Sequence, residues 1–167
     1  MTAPSLKPEQ TATADREILL SRVIDAPRER VFRALTDPKQ VVQWWGPNGF
    51  TTTTREMSVR PGGVWRFVMH GPDGRNYENR IRYLEVTEPE RIVYQHDGGE
   101  DVEPVRFTTI VTFEEHNGKT KITWQAVFES AAQRDWVIEE YGALEGGKQN
   151  LARLDEFVTQ NKLAERT

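Results

Sequence analysis

The sequence predicts a single α+β domain in which a curved antiparallel sheet of six to seven strands wraps around a long C-terminal helix. Between residues 51 and 128, apolar and polar side chains alternate in short runs that tight turns separate, which is typical of an antiparallel meander. After residue 137 the apolar positions recur every three or four residues, the period of an amphipathic helix. That helix is the only long element available to cover the buried face of the sheet.

The N-terminal part is predicted to hold a tail, one strand and two short helices. Residues 1–14 are small and polar and indicate a disordered tail, so we place the domain at residues 15–162. A strand follows and ends near Asp25, which we interpret as the capping acid of the first helix. The segment 36–38 ends that helix and starts a second, which the segment 46–49 ends with glycine and proline.

Six further strands and their turns follow from the same alternation. Asn117-Gly118 is a strong hairpin signal, and Arg60-Pro61-Gly62-Gly63 has the proline and glycine positions of a tight turn. The segment 97–100 is predicted as a longer loop. The strands are expected at residues 51–59, 64–70, 75–86, 91–96, 105–114 and 119–128.

The C-terminal helix is predicted in two pieces. Its apolar stripe runs from Val137 to Val158, but glycines interrupt the first half. Because Gly142, Gly146 and Gly147 interrupt it, we expect a short helix, a kink or loop, and a longer helix to about Gln160, with an interruption at Gly146-Gly147 where the helix lies over the sheet.

Composition excludes several kinds of function. The chain of 167 residues has no cysteine, which rules out disulfides and thiolate chemistry. A formal charge of -4 with scattered basic residues argues against a nucleic-acid partner. No signal peptide or membrane-spanning run is evident, so we expect a cytoplasmic protein without membrane insertion. No metal-ligand spacing occurs, and we expect neither a metal nor another cofactor.

A helix about 10 Å across cannot fill the concavity of a wide twisted sheet, so large side chains or a pocket must occupy the rest. The strands carry many bulky aromatics, and each of them is equally well explained as plain core. The residues that we expect to line an apolar cavity are Trp65, Phe67, Met69, Tyr83, Tyr94, Phe107, Trp124, Tyr141, Leu144 and Leu151, with Gly147 leaving room and Trp45 and Phe50 at the entrance.

Several separated motifs resemble the START-like (SRPBCC) superfamily, within it the group related to the C-terminal domain of the activator of the heat-shock protein 90 ATPase. These motifs are Asp25-Ala26-Pro27, Val31-Phe32, Leu35-Thr36-Asp37-Pro38, Trp44-Trp45-Gly46-Pro47 with Phe50, Arg60-Pro61-Gly62-Gly63 with Trp65, Glu88-Pro89-Glu90-Arg91-Ile92, and Gly146-Gly147 with Leu151 and Arg153-Leu154. The resemblance covers roughly residues 16–160 and implies the helix-grip fold. Where relatives often carry Trp, this chain has Gly147, which implies a larger pocket.

Three functions remain open at this point. The first is binding of a small hydrophobic molecule (lipid, aromatic or polyketide-like) by a monomer or homodimer. The second, which the resemblance implies, is regulation of a chaperone ATPase, although the activators carry an additional N-terminal domain where this chain has a short tail. The third is a cofactor-free cyclase, dehydratase or hydrolase.

Catalysis would need convergent polar groups, and we assign no catalytic residue. Strand parity places His96 on the inward face with Ile92 and Tyr94, but the interpretation that we prefer is a histidine at a strand end, hydrogen-bonded or solvated. The acids and hydroxyls considered are Glu56, Tyr77, Asn79 and Tyr83; we interpret Glu56 and Glu78 instead as partners of arginines such as Arg55, Arg80 and Arg82.

Overall fold

A computed structural model describes residues 14–96 and 106–166, and it has one antiparallel sheet of seven strands in the order β1-β7-β6-β5-β4-β3-β2. Strands β2 to β7 therefore form the predicted meander, and β1 pairs with the last strand. Bulges at Thr54/Glu56 and Tyr83/Glu85 shift the register and bend the sheet. The strands are β1 (Glu17–Ile24), β2 (Thr51–Met57), β3 (Val64–His70), β4 (Asn76–Thr87), β5 (Arg91–His96), β6 (Phe107–His116) and β7 (Lys119–Phe128).

The turns confirm two sequence predictions. His116 pairs with Lys119, so Asn117 and Gly118 form a two-residue hairpin loop, and both have positive φ (55° and 81°). At the other predicted turn Gly62 has φ of 83°, a conformation that glycine adopts without strain. The N–H of Gly63 closes this turn on the carbonyl of Arg60 at 2.7 Å.

Two short helices lie between β1 and β2, as predicted: α1 (Arg28–Thr36) and α2 (Pro38–Val41). The expected capping role of Asp25 is wrong, because the residue at the N-cap of α1 is Pro27 and no side chain caps the helix. Asp37 instead caps α2, since its carboxylate accepts the N–H of Lys39 at 2.9 Å.

Trp44 satisfies a backbone group that the boundary between α1 and α2 leaves open. The carbonyl of Ala34 would normally accept the N–H four residues later, but that residue is Pro38, which has none. The indole N–H of Trp44 donates to this carbonyl at 3.0 Å, and the side chain is only 1% exposed. A buried Trp thus supplies the donor that proline removes.

The C-terminal helix is divided into a short and a long piece, as predicted, and the break lies at Gly142, the first of the three glycines expected to interrupt it. Helix α3 (Ala131–Tyr141) ends at Gly142, whose positive φ of 59° is the usual left-handed helix end, and α4 (Ala143–Arg166) follows at once. The predicted interruption at Gly146-Gly147 is therefore wrong. Glycine inside a helix costs only about 1 kcal/mol relative to alanine, which packing offsets here.

The main core lies between the concave face of the sheet, α1 and α4. Leu151, Leu154 and Val158 of α4 are at most 3% exposed within it. From α1, Phe32 meets Phe113 edge-on with ring centroids 5.2 Å apart. This arrangement, an α+β sheet gripping its last helix, confirms the predicted fold class.

Some predictions fall on residues that the structure does not describe. The tail, apart from Ala14 in a 3-10 turn (Ala14–Arg16), lies outside the described residues, as do the loop at 97–100 and the expected first residue of β6 at 105. Of the described helices, none is long and apolar enough to cross a membrane.

Replacing Trp44 by Phe tests the compensation at Pro38. We expect the Trp44→Phe variant to lose roughly 2 to 4 kcal/mol of unfolding free energy, because the Ala34 carbonyl loses its donor and a void opens in the core. Urea denaturation measures the loss. The control is Trp136→Phe, because Trp136 is 41% exposed and its replacement should change stability by less than about 0.5 kcal/mol. Equal effects of the two substitutions would contradict the assignment.

Candidate functional site

A small cavity of about 140 Å³ lies between the concave face of the sheet and the first turns of α4. It is located where β5 ends and β6 begins, beside the middle of β7. Aromatic and aliphatic groups form most of its wall, and none of its lining residues within the described ranges 14–96 and 106–166 is charged. The lining residues are Leu20, Trp45, Tyr94, His96, Phe107, Trp124, Gly147 and Asn150.

Trp45 lies between the cavity and the hydrophobic core. Its ring centroid is 5.6 Å from that of Trp124, the opposite aromatic wall. Behind it stand Trp65 and Phe67, at 5.0 and 6.0 Å, stacked on each other and each 1% exposed. The structure thus places Trp65 and Phe67, both expected in the lining, behind the wall as support.

The backbone of Trp45 is held from two sides. Its N–H donates to the carbonyl of Val41 at 3.0 Å, which continues the turn of α2. Its carbonyl accepts the hydroxyl of Thr52, on β2, at 3.0 Å. Two elements distant from the cavity therefore fix the position of this ring.

His96 forms the polar part of the wall, and it points inward as the strand parity predicted. The ring stacks on Phe107 with centroids 4.8 Å apart and planes 7° from parallel. Its Nε2 lies 2.8 Å from Oδ1 of Asn79, whose Nδ2 donates to the carbonyl of Tyr77 at 2.9 Å. Because the Asn79 oxygen can only accept, Nε2 carries the proton in this arrangement. The pair orients the imidazole at the end of β5.

Two buried tyrosines sit on the same face of the sheet. Burial and, to a smaller extent, the neighbouring Tyr94 raise the pKa of Tyr83 above its ordinary value. Burial likewise raises the pKa of Tyr94, although hydrogen bonding with Thr109 and Trp124 opposes the shift. Both phenols are therefore neutral at physiological pH. Tyr94 lines the cavity, whereas Tyr83 belongs to the core beside it.

The segment 46–50, which we call the mouth segment, follows Trp45 of the cavity wall, and three side chains of α4 hold it. Arg153 Nη1 donates to the carbonyls of Gly46, Pro47 and Phe50 at 2.8, 2.9 and 3.3 Å. Burial lowers the pKa of Arg153 from its usual value. Gln149 and Asn150 complete the set through their side-chain oxygens, which accept the N–H groups of Asn48 and Gly46, each at 3.0 Å. We call these three residues the clasp.

Gly147 lines the cavity, but the room expected beside it is not empty. A Cβ at this position would lie 2.6 Å from Cδ1 of Leu20, on β1. The missing side chain lets α4 approach the edge strand closely, and Leu20 fills the space that a larger residue would take. We expected additional pocket volume at this glycine; the structure has close packing of α4 against Leu20 there.

The other predicted lining residues lie around the cavity and not in its wall. Met69 approaches Gly46 beneath the mouth segment, and Phe50 packs with its ring 6.0 Å from Tyr77. Leu151 is buried in the core, while Leu144 is 40% exposed on the outside of α4. The side chain of Tyr141 lies outside the described residues.

Sequence reasoning missed Leu20 and Asn150 as lining residues. Leu20 was recognisable from its parity with Ile18 on β1, but β1 is far from the other wall residues in sequence. Asn150 lies three residues after Gly147, on the same helical face, which is a signal that periodicity provides. Strand parity placed His96 on the inward face, but it was not assigned to the lining.

The acids considered for catalysis lie elsewhere. Glu56 is exposed on β2, and Glu78 forms a two-pronged ion pair with Arg55 at 2.7 and 3.1 Å, as the pairing interpretation proposed. Two further recesses beside α4 are lined mostly by polar and charged residues, among them Arg33 and Glu156. Within the described ranges no group of three His, Asp or Glu side chains could hold a metal ion.

The buried tyrosines predict a loss of stability in alkaline solution. Their folded pKa values are raised above 10.0, so their contribution is fully present below about pH 10 and is lost as the pH rises through the folded values. We expect the unfolding free energy of a Tyr83→Phe/Tyr94→Phe double variant to fall less steeply between roughly pH 9 and 11 than that of the unmodified protein. Parallel curves in urea denaturation would refute the assignment.

The clasp predicts that Arg153 controls the order of the mouth segment. Replacing Arg153 by Met keeps its length but removes the donors to three carbonyls, and we expect a loss of about 1 to 2 kcal/mol in unfolding free energy. Hydrogen exchange at the amides of Gly46 and Asn48 should accelerate more than exchange in the sheet. Arg134→Met serves as the control, because Arg134 pairs only with the adjacent Asp135 among the described residues. Unchanged exchange at 46–50 would contradict the prediction.

The sequence and fold were compared with known proteins. Residues 25–159 match the family described as "Activator of Hsp90 ATPase homolog 1-like protein". No curated protein matches the chain.

Solved structures show the same fold. A crystal structure of a protein from Nitrosomonas europaea is 27% identical, with a TM-score of 0.80 over 90% of this chain and 98% of that one. A protein from Mycobacterium smegmatis is 28% identical, with a TM-score of 0.77 over 86% and 91%. One from Arthrobacter aurescens, 24% identical with a TM-score of 0.81 over 89% and 88%, shows the fold alone. The chain belongs to the family of Activator of Hsp90 ATPase homolog 1-like proteins, with a START-like fold.

Proposed function

We propose that this domain binds a small, uncharged, apolar molecule in the cavity beneath the mouth segment. The observation that carries the proposal is the cavity itself, which brings Trp45, Trp124, Phe107 and Tyr94 together around about 140 Å³ of space. Protein interiors are close-packed, and a void of this size removes contacts from every group around it. A ligand restores those contacts, which is the driving force for its binding.

The volume of the cavity restricts the size of the ligand, which the fold alone does not. An apolar cavity of about 150 Å³ is large enough for benzene. A single aromatic ring with a few further atoms therefore fits, whereas a steroid or a long acyl chain requires the walls to move. The absence of charged side chains from the lining favours an uncharged ligand, because burying an unpaired ion costs far more than burying an apolar group.

The other two functions have narrower support. Regulation of a chaperone rests on the family description, which concerns activation of the Hsp90 ATPase. For the enzyme alternative, the polar groups at the wall include His96 and Asn150, and the part of the lining that the structure describes contains no carboxylate that could act as an acid. Binding is the function that the arrangement of the cavity supports best.

Thermal unfolding against a panel of apolar ligands tests the proposal. The panel contains toluene, indole and naphthalene as small aromatics, with a steroid and a long fatty acid as larger members. A small aromatic at one hundred times its Kd adds about 2.7 kcal/mol, which should raise Tm by roughly 5 to 10 °C. We expect the small aromatics to produce the shift and the larger ligands not to. If no aromatic shifts Tm near its solubility limit, the binding proposal is wrong.

A pair of adjacent glycines offers a matched test of the site. In Gly147→Ala the new methyl group forces Leu20 toward the cavity, and we expect the affinity for the small aromatic to fall about tenfold, equivalent to 1.4 kcal/mol. Gly146→Ala brings the same gain in helix propensity, but its methyl group meets only Pro47 at an ordinary 3.7 Å. Its affinity should therefore be unchanged. Equal affinities of the two variants, measured by calorimetry, would place the ligand elsewhere.

A further inference from the structure

Asn150 is the polar side chain of the cavity wall whose orientation the structure determines. A backbone N–H can only donate, so the amide must turn its Oδ1 toward the N–H of Gly46, which it accepts at 3.0 Å. The two N–H donors of Nδ2 then remain. Among the residues that the structure describes, none accepts a hydrogen bond from Nδ2 of Asn150.

We infer that the ligand is a single-ring aryl carbonyl compound, whose carbonyl oxygen accepts a hydrogen bond from Nδ2 of Asn150. This inference rests on the proposed function and names the chemical class that the same cavity takes. The aromatic ring lies against the contacting indoles of Trp45 and Trp124, and the carbonyl points to the helix that carries Asn150.

Three features of the wall favour an uncharged aryl carbonyl compound over related ligands such as carboxylates. Trp45 and Trp124, with centroids 5.6 Å apart, provide aromatic surfaces, and aromatic pairs are attracted beyond their buried area. The lining holds no cation, so a carboxylate ligand would be buried without a counter-ion. His96 donates a hydrogen bond from its Nε2–H to Oδ1 of Asn79, so this donor is not available to the ligand.

The clasp gives this hydrogen bond a second consequence. Asn150 binds the mouth segment with its oxygen and the ligand with its nitrogen, so a bound carbonyl compound and the closed mouth hold the same amide in one orientation. The ligand therefore favours the closed mouth without touching Gly46. A hydrocarbon of the same shape lacks this effect.

Calorimetric titration of the unmodified protein with three probes tests the inference. Acetophenone carries the ring and the acceptor, ethylbenzene has nearly the same shape without the acceptor, and benzoate is charged. We expect acetophenone to bind roughly five to ten times more tightly than ethylbenzene, the value of one neutral hydrogen bond, and benzoate not to bind. This comparison needs no variant and is unaffected by any failure of a variant to fold.

Asn150→Asp provides the test at the residue itself. A carboxylate oxygen still accepts the N–H of Gly46, but both donors are lost and an acceptor faces the ligand carbonyl. We expect the affinity for acetophenone to fall more than tenfold. Lys148→Gln is the control: it makes the same change in net charge on the same helix, at an exposed residue outside the lining, and should leave binding unchanged.

Each outcome decides between the inference and the proposed function. If neither acetophenone nor ethylbenzene binds, the proposed function fails together with the inference. If both bind equally, the cavity binds apolar rings and only the role of Asn150 is overturned. Tighter binding of benzoate would overturn the uncharged class, and equal effects of Asn150→Asp and Lys148→Gln would reduce the role of Asn150 to one of net charge.

Discussion

The close approach of α4 to β1 at Gly147 is the contact on which the site depends. A Cβ here would be 2.6 Å from Cδ1 of Leu20, so a larger residue at this position requires the Leu20 side chain to move. Arg22 and Asp155, 2.7 Å apart, tie the same strand and helix together further along. From this seat Leu151 and Leu154 reach the core, while Asn150 and Arg153 reach the mouth. One position of the helix thus serves both packing and the cavity.

Three polar side chains of α4, those of the clasp, contact the backbone of the mouth segment. These bonds give partners to backbone groups that the tight turn leaves open. The helix and the loop's own hydrogen bond from Phe50 to the carbonyl of Pro47 therefore order this segment together.

Trp45 joins the core and the cavity into a single packing unit. Its ring contacts the Trp65–Phe67 stack on one side and Trp124 on the other. The residue that lines the cavity is thus also part of the core packing. A ligand in the cavity should raise Tm because it binds the folded state and not the unfolded one.

The sequence by itself determined the elements and their order. Asn117-Gly118, the alternation of β3 and β7 and the apolar stripe of α4 are local signals, and each predicted its element closely. A second break, at Gly146-Gly147, was predicted wrongly because Gly142, Gly146 and Gly147 are alike in sequence, and only their surroundings distinguish a helix end from a close contact. The cavity was decided by tertiary structure alone: aromatic residues of one face divide into wall and support according to which of them Trp45 covers. Trp45, Trp124 and Gly147 lie far apart in sequence, and no local pattern records that they meet.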